Sequence, residues 1–183
     1  MEALVPRGRA PSGATRVGTI QRMVPVLREM RLDPSETLAE VGLCSESFDD
    51  PDHAIADEKL GRLLRRASEK SGCSDLGLRL GRGVGLRSLG LVGELAARAP
   101  DAGTALAEIG RHFGLHDGAG IFALSLCGPH ASVTYALHEP CLEASEQRLQ
   151  HATLVACNAL RELCGPAWAP VEVWLPFRRS AAP

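Results

Sequence analysis

The hydrophobic period of this chain changes three times, and those changes limit what it can fold into. Up to about residue 113 the apolar residues recur every three or four positions, as on helices. Over 121–127 the repeat drops to two: Phe122, Leu124 and Leu126 alternate with Ile121, Ala123, Ser125 and Cys127. Over 132–138, Val133, Tyr135 and Leu137 alternate with Ser132, Thr134, Ala136 and His138. Gly128-Pro129 lies between them, so the two runs predict a β-hairpin. The helical period then returns over 143–164, where Leu149, Ala152, Ala156, Leu160 and Leu163 share one face and Gly165-Pro166 ends the run. Val171, Val173 and Leu175 alternate once more and predict a third strand. Helices first, then a hairpin, a long helix and a strand is an α+β layout. The expected architecture is a helical N-terminal half followed by a small antiparallel sheet, hairpin plus one strand, with the long helix packed on it.

Upstream, Val17, Ile20, Val24, Leu27 and Met30 predict one amphipathic helix over 17–32, with Pro25 as an internal blemish. Asp33-Pro34-Ser35-Glu36 is a helix start, with Asp33 as N-cap and Pro34 in the first turn. Asp57 is expected to cap a helix that Gly72 stops, with Leu60, Leu63, Leu64 and Ala67 inward and Arg62, Arg65 and Arg66 on a solvated face. Two further helices, 88–98 and 101–113, are divided by Pro100, with Asp101 capping the second. Residues 1–16 are expected to be a disordered tail and 17–183 one domain that is incomplete at its C-terminus.

Composition narrows the function. Of 183 residues, 45% are apolar and 23% charged, which suits a globular domain. A formal net charge of −2 is unlike a free-standing nucleic-acid binder, and 4% aromatic residues offer no stacking platform for single strands. The longest run without Asp, Glu, Lys or Arg, 118–138, is broken by Gly128-Pro129 and reads as strands, not a membrane span. Met1 to Arg16 has no apolar core of a secretion signal, so the expected compartment is the cytoplasm. Six cysteines without a CxxC are expected to be reduced, mostly as small core residues, Cys157 and Cys164 in a packed seam.

No residue pattern commits to catalysis. Gly81, Gly83 and Gly85 alternate, but no strand precedes them and no GxxxxGK[ST] follows, so a phosphate loop is excluded. His112 and His116 stand four apart, with Cys127, His130, His138 and Cys141 downstream. Gly114 interrupts the helix and the spacings match no closed zinc site. The pair is read as partly exposed at a helix end, where imidazole suits the dipole. His151 on the long helix either lines a cavity or, more simply, sits at the surface. No catalytic residue, metal ligand or cofactor is assigned.

The order of motifs from 75 to 118 resembles the N-terminal effector domain of AraC-type transcriptional regulators, in the arabinose-binding-like branch. A Leu-Gly-Leu-x-Leu-Gly block stands at Leu76 to Gly81, and a Leu-Gly-x-x-Gly helix start at Leu89 to Gly93. A helix around Ala102 to Leu106 then leads to Arg111-His112-Phe113. The segment from Arg31 to Ile55 is similar to the family's lead, and Pro166 to Val173 to its Trp-x-Pro-x-x-Val strand. Departures are Arg31 where Gly is usual, Ala56 where Pro is usual, and Thr104, which sits later than the common Thr.

The resemblance implies a bacterial, ligand-sensing and dimerising region. Its partners would be a small-molecule effector and a second copy, with DNA reached only through a C-terminal helix-turn-helix part not contained in these residues, and no membrane. Within that reading Phe122, Leu124, Val133 and Tyr135 are the candidate ligand-lining positions, and Leu149, Ala152, Ala156 and Leu160 the candidate dimer contact. The alternatives are a small cytoplasmic enzyme using Cys127, Cys141 or His112, and an interaction module that heterodimerises with a full-length regulator.

Overall fold

The computed structural model describes residues 10, 13–137 and 144–177. The fold is α+β. Asp33 accepts a hydrogen bond from the Glu36 amide at 2.9 Å and starts α2 (Pro34–Ala39). Gly72, at φ 66°, ends α3 (Asp57–Ser71), and Asp101 caps α6 (Ala102–His112) through the Thr104 amide at 2.8 Å. The 88–98 region is a 3-10 turn, Leu86–Leu89, followed by α5 (Leu91–Ala97).

Four expectations are corrected. Residues 17–32 are not one helix: a 3-10 turn, Val17–Ile20, precedes α1 (Met23–Glu29). Pro25 has no N–H and its ring would clash with the carbonyl four residues back, so it is accommodated only in the first turn of a new helix. Asp57 is not the cap of α3; Ala56 is, and the Asp57 carboxylate instead pairs with Arg148. The expected tail is ordered by residue 14, because β1 (Ala14–Arg16) pairs antiparallel with β2 (Ala54–Ala56); residues 1–9, 11 and 12 lie outside the described residues. The third strand over 171–175 does not form. Val171 is 92% and Trp174 83% exposed, and no described strand edge accepts the segment, so its alternation has no ladder to join.

The hairpin is as expected. β3 (Gly120–Cys127) and β4 (His130–Leu137) pair with Phe122 opposite Tyr135 and Leu124 opposite Val133. Those four side chains are half-buried, while Ile121, Ala123, Thr134 and Ala136 face outward and are exposed. The alternation follows directly from the period of two.

Apolar burial falls into two cores. One gathers α1, α2, α3 and α4 (Leu76–Gly81) around Met23, Leu27, Leu38, Leu63 and Leu80. The other gathers α5, α6 and the hairpin around Val92, Ala96, Ala105 and Ile109. The long helix α7 (Ser145–Cys164) runs against both.

Its closest approach is to α4, where the backbones nearly touch. A Cβ on Gly77 would sit 2.0 Å from the Gln147 carbonyl oxygen, and one on Gly81 3.1 Å from the Leu154 Cβ. The two glycines, one helical turn apart, give α4 a bare face, while Leu76 and Leu80 fill the core on its other side. Polar side chains of α7 cap both ends of α4. Gln147 Oε1 accepts from the Gly77 amide at 2.9 Å, and the Gln147 and Gln150 amides donate to the Ser74 carbonyl at 3.1 and 3.0 Å. The Asn158 amide donates to the Gly81 and Val84 carbonyls at 3.1 and 2.8 Å. A helix of this length leaves most of its backbone groups unpaired, and α7 supplies the partners.

Two predictions follow from this packing. Gly77→Ala forces α7 off α4 and is expected to cost at least about 2 kcal/mol of unfolding free energy in a urea titration. Arg31 holds φ 61° on an exposed loop, a left-handed conformation that costs a branched-Cα residue about 1 kcal/mol. Arg31→Gly is therefore expected to raise stability by a few tenths of a kcal/mol up to about 1, in the same titration.

Candidate functional site

Between the two cores lies a cavity of about 100 Å³. Ile20, Leu60, Leu64 and Leu80 face it from the first core, and Leu89, Leu106 and Ile109 from the second. α7 closes it with Ala152, Val155, Ala156 and Ala159, then Leu160 and Leu163. The small alanines are what leave the space: a bulkier stripe at this helical spacing would fill the seam. The hairpin contributes Phe122, Val133 and Tyr135. Phe113, on the 3-10 turn Phe113–Leu115 after α6, stacks beside them, its ring centre 5.6 Å from that of Phe122 and 6.0 Å from that of Tyr135.

One end of the cavity is polar. Asp117 is buried and accepts four hydrogen bonds. Its Oδ1 takes the Thr15 hydroxyl at 2.9 Å and the Ala119 and Gly120 amides at 2.9 and 3.1 Å; its Oδ2 takes the Tyr135 hydroxyl at 2.8 Å. Gly120 makes this possible, since a Cβ there would lie 2.4 Å from Asp117 Oδ2 and 2.5 Å from the Tyr135 ring. Burial, reinforced by the Asp117 charge, pushes the Tyr135 phenol far above its usual range, so it remains a donor. Arg148 is buried on α7, pairs with Asp57 on α3, and reaches the Thr15 hydroxyl at 3.5 Å. Burial raises the Asp57 carboxyl, and Arg148 opposes that rise. Removing one partner of such a pair strands the other charge, at a cost of about 3–5 kcal/mol.

Two imidazoles complete this end. His151 Nε2 lies 2.9 Å from the Thr19 carbonyl oxygen. A carbonyl only accepts, so Nε2 carries the proton and Nδ1 is left as an acceptor. Burial lowers the His151 pKa, and Arg148 adds to the lowering. His116 is 5% exposed, touches the Phe113 ring edge-on, and has no side-chain hydrogen bond among the described residues. Burial pushes it down to about 4; His151 and Arg16 push the same way, against Asp117 and Asp52.

The structure thus brings Phe122, Val133 and Tyr135 onto one wall, while Leu124 packs on the second core away from it. Of the α7 positions expected at a dimer contact, Ala152, Ala156 and Leu160 face the cavity, and Leu149 is half-buried outside its lining. His151 borders the cavity and is not a surface imidazole; His116 is buried, not exposed beside His112. His112 instead lies 3.3 Å from Glu108 at the end of α6. The cysteines are not core residues in the main: Cys44, Cys127 and Cys164 are exposed and Cys73 and Cys157 half-buried. His138 and Cys141 lie outside the described residues. Among the described residues no three His, Cys, Asp or Glu side chains gather as metal ligands would, and no helix is long and apolar enough to cross a membrane.

Thr15, Thr19, Asp117 and Arg148 were not singled out from the sequence. Arg148 carried a signal: it stands four residues before Ala152, in register with the apolar stripe of α7. The other three lie on short segments without periodicity.

The histidines make stability depend on pH. Between the unfolded pKa of about 6.5 and a folded value of about 4 for His116, the unfolded chain binds the extra proton. Stability therefore falls as pH drops through that window, by about 3 kcal/mol for this group. Denaturant titrations at pH 7 and pH 4.5 are expected to show the loss in the native protein and a smaller one in His116→Phe.

Residues 32–183 match a protein family described as the N-terminal arabinose-binding domain of AraC transcription regulators. A comparison with curated proteins returned no match. The matched span covers α2 through α7, both faces of the α4–α7 contact and all of the hairpin; of the described elements, β1, the first 3-10 turn and α1 lie outside it. This chain belongs to the family of N-terminal arabinose-binding domains of AraC transcription regulators.

Proposed function

We propose that the cavity between the two cores is the effector site, and that this chain is the sensing region of a cytoplasmic AraC-type regulator. The observation that carries this reading is the apolar cavity with one polar end. Few sites of this kind occur in a protein, and they are where small ligands bind. Its walls come from both cores, the hairpin and α7, so a ligand touches every layer of the fold at once.

A ligand shifts a regulator only through different affinity for two arrangements. The elements positioned to differ are the hairpin and α7. The hairpin is tied to β1 through Thr15 and Asp117, and α7 to α3 through Arg148 and Asp57. Occupancy would hold these ties in one geometry and bias whatever follows α7. Promoter contact is assigned to a helix-turn-helix region acting downstream of this domain. In this reading Ala152, Ala156 and Leu160 serve the ligand, and the second copy expected from the resemblance packs elsewhere.

Toluene is a suitable probe, because it needs only apolar space. Saturable toluene binding is expected for the native chain, with slowed amide exchange in α7 and the hairpin. Ala156→Phe, which fills the cavity, is expected to keep the helical circular dichroism and lose at least tenfold in toluene affinity. Unchanged affinity in that variant would place the site elsewhere.

A further inference from the structure

The chemistry of the polar end restricts what the cavity can hold. Its charges are already spent on one another. Arg148 is paired with Asp57, and Asp117 already accepts four hydrogen bonds, from Thr15, Tyr135 and two backbone amides. Counting Arg148, Asp57 and Asp117, that end carries one net negative charge, with no carboxylate bonded to either imidazole. A carboxylate or phosphate entering would meet that negative field. An ammonium would find the Asp117 carboxylate already bonded to four donors. Burying an ion without a counter-charge costs several times what a hydrogen bond returns.

His116 is 5% exposed, borders the cavity, and its ring nitrogens have no hydrogen-bond partner among the described residues. Buried polar atoms are normally paired, so an unpaired one facing an empty space calls for a partner from outside the chain. A neutral imidazole has one donor and one acceptor nitrogen, and both suit a hydroxyl; its donor alone suits a carbonyl. The rest of the wall is apolar and aromatic. A sugar, with a hydroxyl on nearly every carbon, would leave most of them unpaired against leucine and alanine, at about 1–3 kcal/mol each. Size sets the last limit. An apolar cavity of roughly 150 Å³ holds benzene, so about 100 Å³ sets one ring or a short chain as the upper limit.

We propose that the effector is a small, uncharged, mostly apolar molecule carrying a single hydroxyl or carbonyl, such as a simple phenol or short alcohol, whose polar atom bonds His116. This rests on the cavity being the effector site.

Calorimetric titration of the native chain at pH 7 tests it with five probes: toluene, phenol, benzoate, benzylammonium and L-arabinose. Phenol and toluene have nearly the same shape and differ in the hydroxyl. Phenol is expected to bind about three- to tenfold tighter than toluene, the worth of one net hydrogen bond. Benzoate, benzylammonium and arabinose are expected to bind at least tenfold more weakly than phenol. His116→Phe removes both ring nitrogens and is expected to lose the preference for phenol, read as the ratio of phenol to toluene affinity within that variant. Tighter binding of a charged probe or of arabinose overturns the proposal and leaves the cavity as effector site. A phenol preference that survives in His116→Phe overturns the role of His116. Failure of toluene and phenol alike to bind overturns both the ligand class and the site.

Discussion

Everything in this fold leans on the contact between α4 and α7. The two helices approach until a single methyl on Gly77 would collide with the α7 backbone. At that distance α4 has no room for side chains on the facing side, and its free backbone groups cannot reach water. Gln147, Gln150 and Asn158 resolve the second problem by bonding both ends of α4 from α7. The contact is therefore steric and polar together. It fixes the height and rotation of a 20-residue helix from a six-residue one.

Fixing α7 fixes the cavity. With one stripe of α7 committed to α4, the neighbouring stripe of alanines is turned into the seam between the cores. Small side chains there cannot span the gap, and the surrounding elements are held apart by their own packing. The void is thus a by-product of where α7 is anchored. Its polar end has the same origin: Arg148 enters one turn before the alanines, and Asp57 and Asp117 are drawn to its charge and to the β1 backbone around Thr15.

This arrangement makes a cavity that is costly to distort and easy to bias. The buried Arg148–Asp57 pair and the four hydrogen bonds to Asp117 hold the polar end rigid, because breaking the pair strands a charge. The hairpin is held less firmly. It is a two-stranded sheet with one face exposed, buried only through the residues that touch the cavity and the second core. A ligand that adds contact to Phe122, Val133 and Tyr135 works on the least buried layer, where a small free-energy change moves the most structure.

Local order was legible in the chain itself. The hairpin and its inner face, the caps at Asp33 and Asp101, the stop at Gly72 and the bounds of α7 all follow from interactions between residues close in sequence. Such interactions leave a period or a turn signature. The resemblance to AraC-type effector domains was legible for a related reason: its Leu-Gly-Leu-x-Leu-Gly block contains Gly77 and Gly81, the two glycines that α7 approaches most closely on α4. What the sequence could not show was which partner each face would meet. The 171–175 segment alternates like a strand but pairs with no described strand. Gln147, Gln150 and Asn158 look like a solvated face until α4 lies against them. Ala152, Ala156 and Leu160 look equally suited to a second subunit or to a cavity. His116 and Asp117 sit in a turn with no period at all. Only tertiary contact assigned these roles, because burial of a polar or small residue depends on what arrives from a hundred residues away, and nothing in the local chain records that arrival.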